Sequence, residues 1–218
     1  MAQACKIRLS GREVTNEGET DSYEIVVEDV TQQRKLEDHL RQEAAKDPLT
    51  GLANRRSLVE TVDIEIQRSE RTGREFALLF LDLDGLKKIN DRFGHVVGSQ
   101  ALCRLGDVLC ICSRTIDTPS RFGGDEFALV LPETGRDSAK LVAHRIREHL
   151  VNDGREPKLS VSIGVAVYPN DGKELDSLLG AADAAMYTNK ERTHSLDTSP
   201  QRKAAELRDK AAAGRRSG

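Results

Sequence analysis

The stretch "SRFGGDEFALVLPET", Ser120 to Thr134, sets an aromatic residue and two glycines ahead of two adjacent acids and then an apolar run. "FALVL" reads as a strand buried on both faces. Gly123 and Gly124 read as a hairpin turn before it, since glycine supplies positive φ and leaves the backbone open to close approach. Asp125 and Glu126 then stand side by side where the strand begins, although adjacent carboxylates repel. A second buried strand, "EFALLFLDLD" (75–84), also ends in acids, Asp82 and Asp84, which the two-residue period of a strand points to one face. If the two strands are neighbours, three or four carboxylates meet at one sheet edge. Hard oxygen donors at that density suit Mg²⁺ or Mn²⁺, with a substrate triphosphate completing the shell, and the chemistry they serve is phosphoryl or nucleotidyl transfer. Taken singly, each acid reads more readily as a solvated strand end or turn residue.

Working outward, element types alternate. Helices are predicted over 55–71, 86–93, 99–113, 137–151 and 174–190, with strands at 127–131 and in "LSVSIGVAVYP" (159–169). This order predicts an α/β sandwich, an antiparallel or mixed sheet with helices packed on it. Towards the N-terminus, "CKIRLS" (5–10) and "SYEIVVEDV" (22–30) read as strands separated by the polar turn "GREVTNEGETD" (11–21), too few to bury a core alone. From 30 to 46 the pattern turns helical, with Leu36, Leu40 and Ala44 on one seam suited to a two-chain coiled coil. The tail, 196–218, is expected to be disordered or a frayed helix.

The whole chain has 218 residues, 38% hydrophobic and 32% charged, with a net charge of −3. That balance provides no general attraction for nucleic acid or an anionic membrane, so phosphate chemistry must rest on local cations. The four cysteines, Cys5, Cys103, Cys110 and Cys112, form no metal spacing and read as reduced thiols. No apolar run approaches a membrane span, no signal peptide is evident, and a cytoplasmic location is expected.

"GGDEF" (123–127) is the signature of the GGDEF family, the diguanylate cyclases; a chance match in a chain of this length is on the order of one in ten thousand. "DPLTGLANRR" (47–56), "FLDLDGLKKINDRFGH" (80–95), "SIGVAVYPNDG" (162–172) and "ADAAMYTNK" (182–190) resemble its other motifs, in order, over residues 47–192. The resemblance implies an α/β (α+β) fold: a palm-like nucleotidyl cyclase domain over 47–195, its central, mainly antiparallel sheet flanked by helices and preceded by a signalling helix. It implies that two GTP molecules, one on each subunit of a homodimer, condense to cyclic di-GMP and two pyrophosphates. Asp82, the Leu83 carbonyl, Asp125 and Glu126 would bind two divalent metals per active site, Mg²⁺ or Mn²⁺, and Asp82, Asp125 and Glu126 would carry the catalysis. Gly123 and Gly124 would leave room for the nucleotide; backbone N–H groups around Gly85 and Leu86, with Lys87 and Lys190, would meet the phosphates at a helix N-terminus. Asn90 would bond the guanine edge. "RTID" (114–117) stands where the family carries an inhibitory site, so Arg114 and Asp117, with Arg145, would bind cyclic di-GMP as a feedback ligand; a helix-end salt bridge is the alternative. "YEIVVEDVTQQRKLEDHLRQEA" (23–44) is similar to the end of a PAS sensor running into a signalling helix, residues 1–29 being the sensor's last strands.

Two departures bear on specificity and affinity. Nine residues after Asn90, where the family carries an aspartate that reads guanine N1–H and N2–H₂, stands Ser99. A hydroxyl both donates and accepts, so it discriminates less than a carboxylate. The same replacement resembles the hybrid branch that makes cyclic GMP-AMP from GTP and ATP; alternatively Ser99 only caps the following helix. The final motif, K-x-x-G-R-N in the family, reads "KERTHS" (190–195), with Thr193, His194 and Ser195 replacing three residues and weakening the grip on triphosphate. A catalytically weak module that binds cyclic di-GMP through Arg114 and Asp117 is the third reading.

Overall fold

The computed structural model describes residues 7–14, 22–33 and 45–197, with side chains described for 7–11, 25–33 and 45–187. The chain divides into two compact units, 1–46 and 47–218. Most of the helix predicted over 30–46 and the tail from 198 onward lie outside the described residues.

In the first unit, β1 (Ile7–Val14) and β2 (Ser22–Asp29) pair antiparallel from Ile7↔Asp29 to Val14↔Ser22. The strand therefore runs on through "GREV", which the sequence assigns to the turn; Arg8 and Glu28 face each other across the ladder, 3.4 Å apart.

The second unit is a four-stranded antiparallel sheet in the order β4 (Thr118–Gly123), β5 (Glu126–Leu131), β3 (Phe76–Leu83) and β6 (Val161–Tyr168), with helices on both faces. Central strand β3 is buried from Phe76 to Leu81. Its odd positions, Ala77, Leu79, Leu81 and Leu83, join one apolar cluster with α2 (Leu86–Phe93), α3 (His95–Cys112) and α4 (Arg136–Asn152). Its even positions, Phe76, Leu78 and Phe80, join a second cluster with α1 (Arg55–Thr72) and α5 (Leu175–Asp197). A strand covered on both faces needs the unbroken apolar run seen in its sequence, each large side chain contributing about 1.5–3 kcal/mol.

Strands β4, β5 and β6 complete the sheet. β4 is absent from the expectations because "TPSRFG" carries a proline and a glycine and sits at the sheet edge, where such residues are tolerated. α3 begins at His95, four residues before its expected start. Gly98, a poor helix former, is there for space: a Cβ would collide with the Asn90 amide oxygen on α2. α5 continues to Asp197, so "KERTHS" is helical backbone and not the approach to a further strand. No described helix is long and apolar enough to cross a membrane.

Candidate active site

β3 and β5 are direct neighbours, and their register puts Asp82 opposite Glu126. Like charges facing each other across a ladder are destabilising, so the fold itself gives no reason to place them there. Asp125 joins them through the β4–β5 hairpin, in which Gly123 pairs with Glu126 and only Gly124 and Asp125 form the loop. Gly124 has φ +55°, the left-handed region that glycine enters without strain. The Asp125 carbonyl accepts from the Leu83 backbone N–H at 3.0 Å, which ties the hairpin tip to the end of β3.

The hairpin is held from outside as well. Arg121 donates through Nη2 and Nε to the Gly124 carbonyl at 2.7 and 3.1 Å, and through Nη1 to both Asp47 oxygens at 3.2 Å. Asp47 also accepts from the Thr50 backbone N–H at 2.8 Å and hydroxyl at 2.7 Å. Burial alone would raise the Asp47 carboxyl, but these hydrogen bonds and the Arg121 charge hold it below its ordinary value. "DPLTG" is thus a brace for the hairpin, and Asn54 caps α1 by accepting from the Ser57 N–H at 3.0 Å.

Glu126 shows the opposite balance. Burial, then the negative charges of Asp125, Asp82 and Asp183, push its carboxyl up, with Arg55 the opposing cation. Arg55 is placed by α1, its guanidinium 4.7 Å above the Phe122 ring, which meets Phe80 edge-on at 5.5 Å. Asp183 and Arg55 are the site residues that sequence reading passes over. Both lie inside quoted motifs, "ADAAMY" and "ANRR", but only closure of α1 and α5 over one sheet face brings them to Glu126.

Asp84 departs from the cluster: its oxygens accept from Ser160 Oγ at 2.9 Å and Ser162 Oγ at 2.7 Å, turning it to β6, across β3 from Glu126. The convergence is three acids and not four. Among the described residues no group of three or more His, Cys, Asp or Glu is already arranged to hold a metal ion. The donor set nevertheless fits a hard divalent cation, since Asp82, Asp125 and Glu126 present oxygen only and the charges of the two aspartates help push the Glu126 carboxyl up.

Immediately beyond β3, Gly85 (φ +71°) is the N-cap of α2 and no side chain caps that terminus. Leu86 is half-buried and Lys87 exposed, both in the first turn of α2. Asn90 packs on Gly98. Ser99 is the fifth residue of α3, so it is no helix cap; that terminus is capped by Gly94 without a side chain. Ser99 instead lines a cavity of about 620 Å³ shared with Leu49, Cys103 and Arg104. Lys190 is on α5, and its side chain lies outside the described residues.

Arg114 and Asp117 lie at the opposite end of β5, about 17 Å of strand away. They close on each other: Arg114 Nη2 is 2.9 Å from Asp117 Oδ1, and its backbone N–H donates to Oδ2 at 2.7 Å. Nη2 also donates to Thr134 Oγ1 and the Pro132 carbonyl. Hydrogen bonding to Asp117 pushes the guanidinium pKa further up. An ion pair thus joins the two residues, with the Arg114 side chain still half exposed. Arg145, on α4, donates to the Cys112 carbonyl at 2.5 Å.

The fold is a mixed α/β domain, a mainly antiparallel sheet with helices on both faces and acids at one end of its central strands. The chain belongs to the GGDEF family: residues 44–195 match the model described as diguanylate cyclase, GGDEF domain. It is 34% identical over 181 residues to the probable diguanylate cyclase DgcE of Escherichia coli strain K12, a match that covers 81% of this chain and 16% of that protein. Diguanylate cyclase SiaD of Pseudomonas aeruginosa, solved with its activator SiaC, superposes with a TM-score of 0.66 at 33% identity, covering 74% of this chain and 64% of that one. The coiled coil and GGDEF domain of DgcB from Caulobacter crescentus, solved with c-di-GMP, gives 0.67 at 27% identity, covering 74% and 88%. The chain thus spans about a sixth of DgcE.

Proposed function

We propose that this chain is a diguanylate cyclase that condenses two GTP to cyclic di-GMP and two pyrophosphates across a homodimer. The observation that carries the reading is the Asp82–Glu126 register pair beside Asp125, a costly arrangement that a bound divalent cation turns favourable. Asp82, Asp125, Glu126 and the Leu83 carbonyl would hold Mg²⁺ or Mn²⁺, two per site. Bound there, the cations supply charge neutralisation at the reacting phosphate and lower the pKa of the attacking hydroxyl.

The residues of this chain do the positioning. The ribose 3′-oxygen of one nucleotide bonds to the α-phosphorus of the other, the bond to pyrophosphate breaks, and the hydroxyl proton leaves to an Asp125 or Glu126 carboxylate. The same exchange on the second strand closes the ring. Gly123 and Gly124 keep side chains out of the nucleotide's way, and Asn90 binds the base. Gly85 and Leu86 offer N–H groups at the start of α2 to the terminal phosphates, with Lys87 and Lys190 adding charge. Arg114, whose side chain is 54% exposed, would bind product as a feedback ligand with Asp117 and Arg145.

A second reading, hybrid synthesis of cyclic GMP-AMP from GTP and ATP, is favoured by one observation: Ser99 caps no helix and faces a cavity. Incubating the protein with GTP, ATP or both and Mg²⁺, with products read by mass spectrometry, decides between them. Cyclic di-GMP alone, even with ATP present, refutes the hybrid; no product from a confirmed dimer refutes cyclase activity. If Ser99 sets base choice, Ser99→Asp shifts product towards cyclic di-GMP, and an unchanged product ratio rejects that role.

A further inference from the structure

Asp84 stands apart from the acid cluster, between the last residue of β3 and the glycine that opens α2. Both of its carboxylate oxygens are engaged, by Ser162 Oγ at 2.7 Å and Ser160 Oγ at 2.9 Å, and its backbone N–H donates to the Ser160 carbonyl at 3.0 Å. One residue earlier, the Leu83 N–H donates the other way, to the Asp125 carbonyl at the hairpin tip. The Asp84 N–H and the Leu83 carbonyl belong to one peptide unit, which is planar and trans, so they point in opposite directions. Tying that N–H to Ser160 therefore turns the Leu83 carbonyl away from β6 and towards the side where Asp125 and Glu126 lie. Arg147, half-buried on α4, donates to the Ile163 carbonyl of β6 at 3.3 Å and stands in the field of the Asp84 carboxylate. The α2 N-terminus has no side-chain cap of its own, so Asp84 supplies the side-chain anchor of this turn.

We propose that Asp84 is a positioning residue for the phosphate end of the nucleotide: gripped by Ser160 and Ser162, it holds the turn so that the Leu83 carbonyl and the Gly85 and Leu86 N–H groups serve one metal-bound triphosphate. The inference rests on the nucleotide-condensing function proposed above. A misplacement of about 1 Å in such a turn costs on the order of a hundredfold, so an anchor outside the ligand's own contacts has a large effect. A carboxylate suits the post because each oxygen accepts a hydroxyl proton. Asparagine keeps most of that grip, since a serine hydroxyl accepts from an amide N–H as well as donating to an amide oxygen. Alanine keeps none of it.

The test is equilibrium binding, with Mg²⁺, of inorganic tripolyphosphate and of 3′-deoxy-GTP, which lacks the attacking hydroxyl, with each variant's melting temperature measured alongside. Asp84→Ala, and separately the pair Ser160→Ala, Ser162→Ala that leaves Asp84 in place, should weaken both ligands at least tenfold. Asp84→Asn should stay within threefold of wild type. Adding Asp84→Ala to the serine pair should cost no more than a further twofold, because the three side chains act as one unit. Affinities within twofold of wild type in the serine pair overturn the proposal whatever the melting temperature does, since a merely structural role lowers stability and spares the folded site; this arm decides alone if Asp84→Ala does not fold. Losses that multiply in the triple variant, or an Asp84→Asn as weak as Asp84→Ala, overturn it too. A wild type that condenses GTP while the variants bind normally sinks only this inference. A wild type that binds neither ligand sinks it together with the proposed function.

Discussion

Strand β5 carries a charged cluster at each end, and the fold treats them oppositely. At the Leu131 end, Asp117 is almost fully buried yet satisfied by the side chain and backbone of Arg114, and Thr134 takes a further donor from the same arginine. At the Glu126 end, burial and the negative charges of Asp125, Asp82 and Asp183 push the Glu126 carboxyl up, with Arg55 the opposing cation. Two motifs of equal prominence in the sequence thus have different physical standing. The ion pair is satisfied by its own partners, whereas the Glu126 carboxyl is held up by burial and its acidic neighbours, a balance that a bound cation would relieve.

Neutralising the acids should break this contrast most strongly. Asp82→Asn or Glu126→Gln is expected to lower product formation roughly a thousandfold, because several kcal/mol of metal-borne charge stabilisation disappears. The melting temperature in metal-free buffer should hold or rise as repulsion is relieved; a fall of several degrees would show that the acids serve the fold. The reverse applies at the other end. Asp117→Ala leaves the Arg114 N–H unpaired and its guanidinium without a counter-charge and should cost about 2 kcal/mol in urea unfolding, with the initial rate of synthesis retained. Equal stability would mean that the pair is dispensable.

A smaller effect separates the acid cluster from its brace. Asp47, held below its ordinary 3.8, stabilises the fold at neutral pH and loses that contribution as pH falls through its folded value. Glu126, raised above its ordinary 4.5, behaves inversely: its penalty is absent in acid, grows as pH rises above 4.5, and is complete beyond its folded value. In metal-free stability profiles, Asp47→Asn should remove part of the acid-side loss and Glu126→Gln part of the decline above pH 4.5. Identical profiles for the two variants would contradict the contrast.

The central strand and the acids at its end were legible in the sequence because burial on both faces leaves an unbroken apolar run that polar residues can only terminate. The pairing of β3 with β5 was legible only as a condition, since register is a tertiary fact. Edge strand β4 was not: its Pro119 and Gly123 suppress strand character, and its irregular pairing between Arg121 and Gly123 breaks the alternation. The extent of α3 was obscured by Gly98, which is chosen for its contact with Asn90 and not for helix propensity. Asp84 shows the limit of period-two reasoning, because beyond the last paired residue Ser160, just ahead of β6, and Ser162 within it decide where the carboxylate goes. Arg55, Arg121 and Asp183 act on the site from three separate segments that no local pattern connects.

The claim that the acid cluster exists to hold cations is tested most directly by counting Mn²⁺ by electron paramagnetic resonance, with saturating 3′-deoxy-GTP. The wild type should take up two ions per chain beyond those on free nucleotide, and the Asp82→Asn, Glu126→Gln double variant none. An unchanged count in the double variant would contradict the role assigned to these carboxylates.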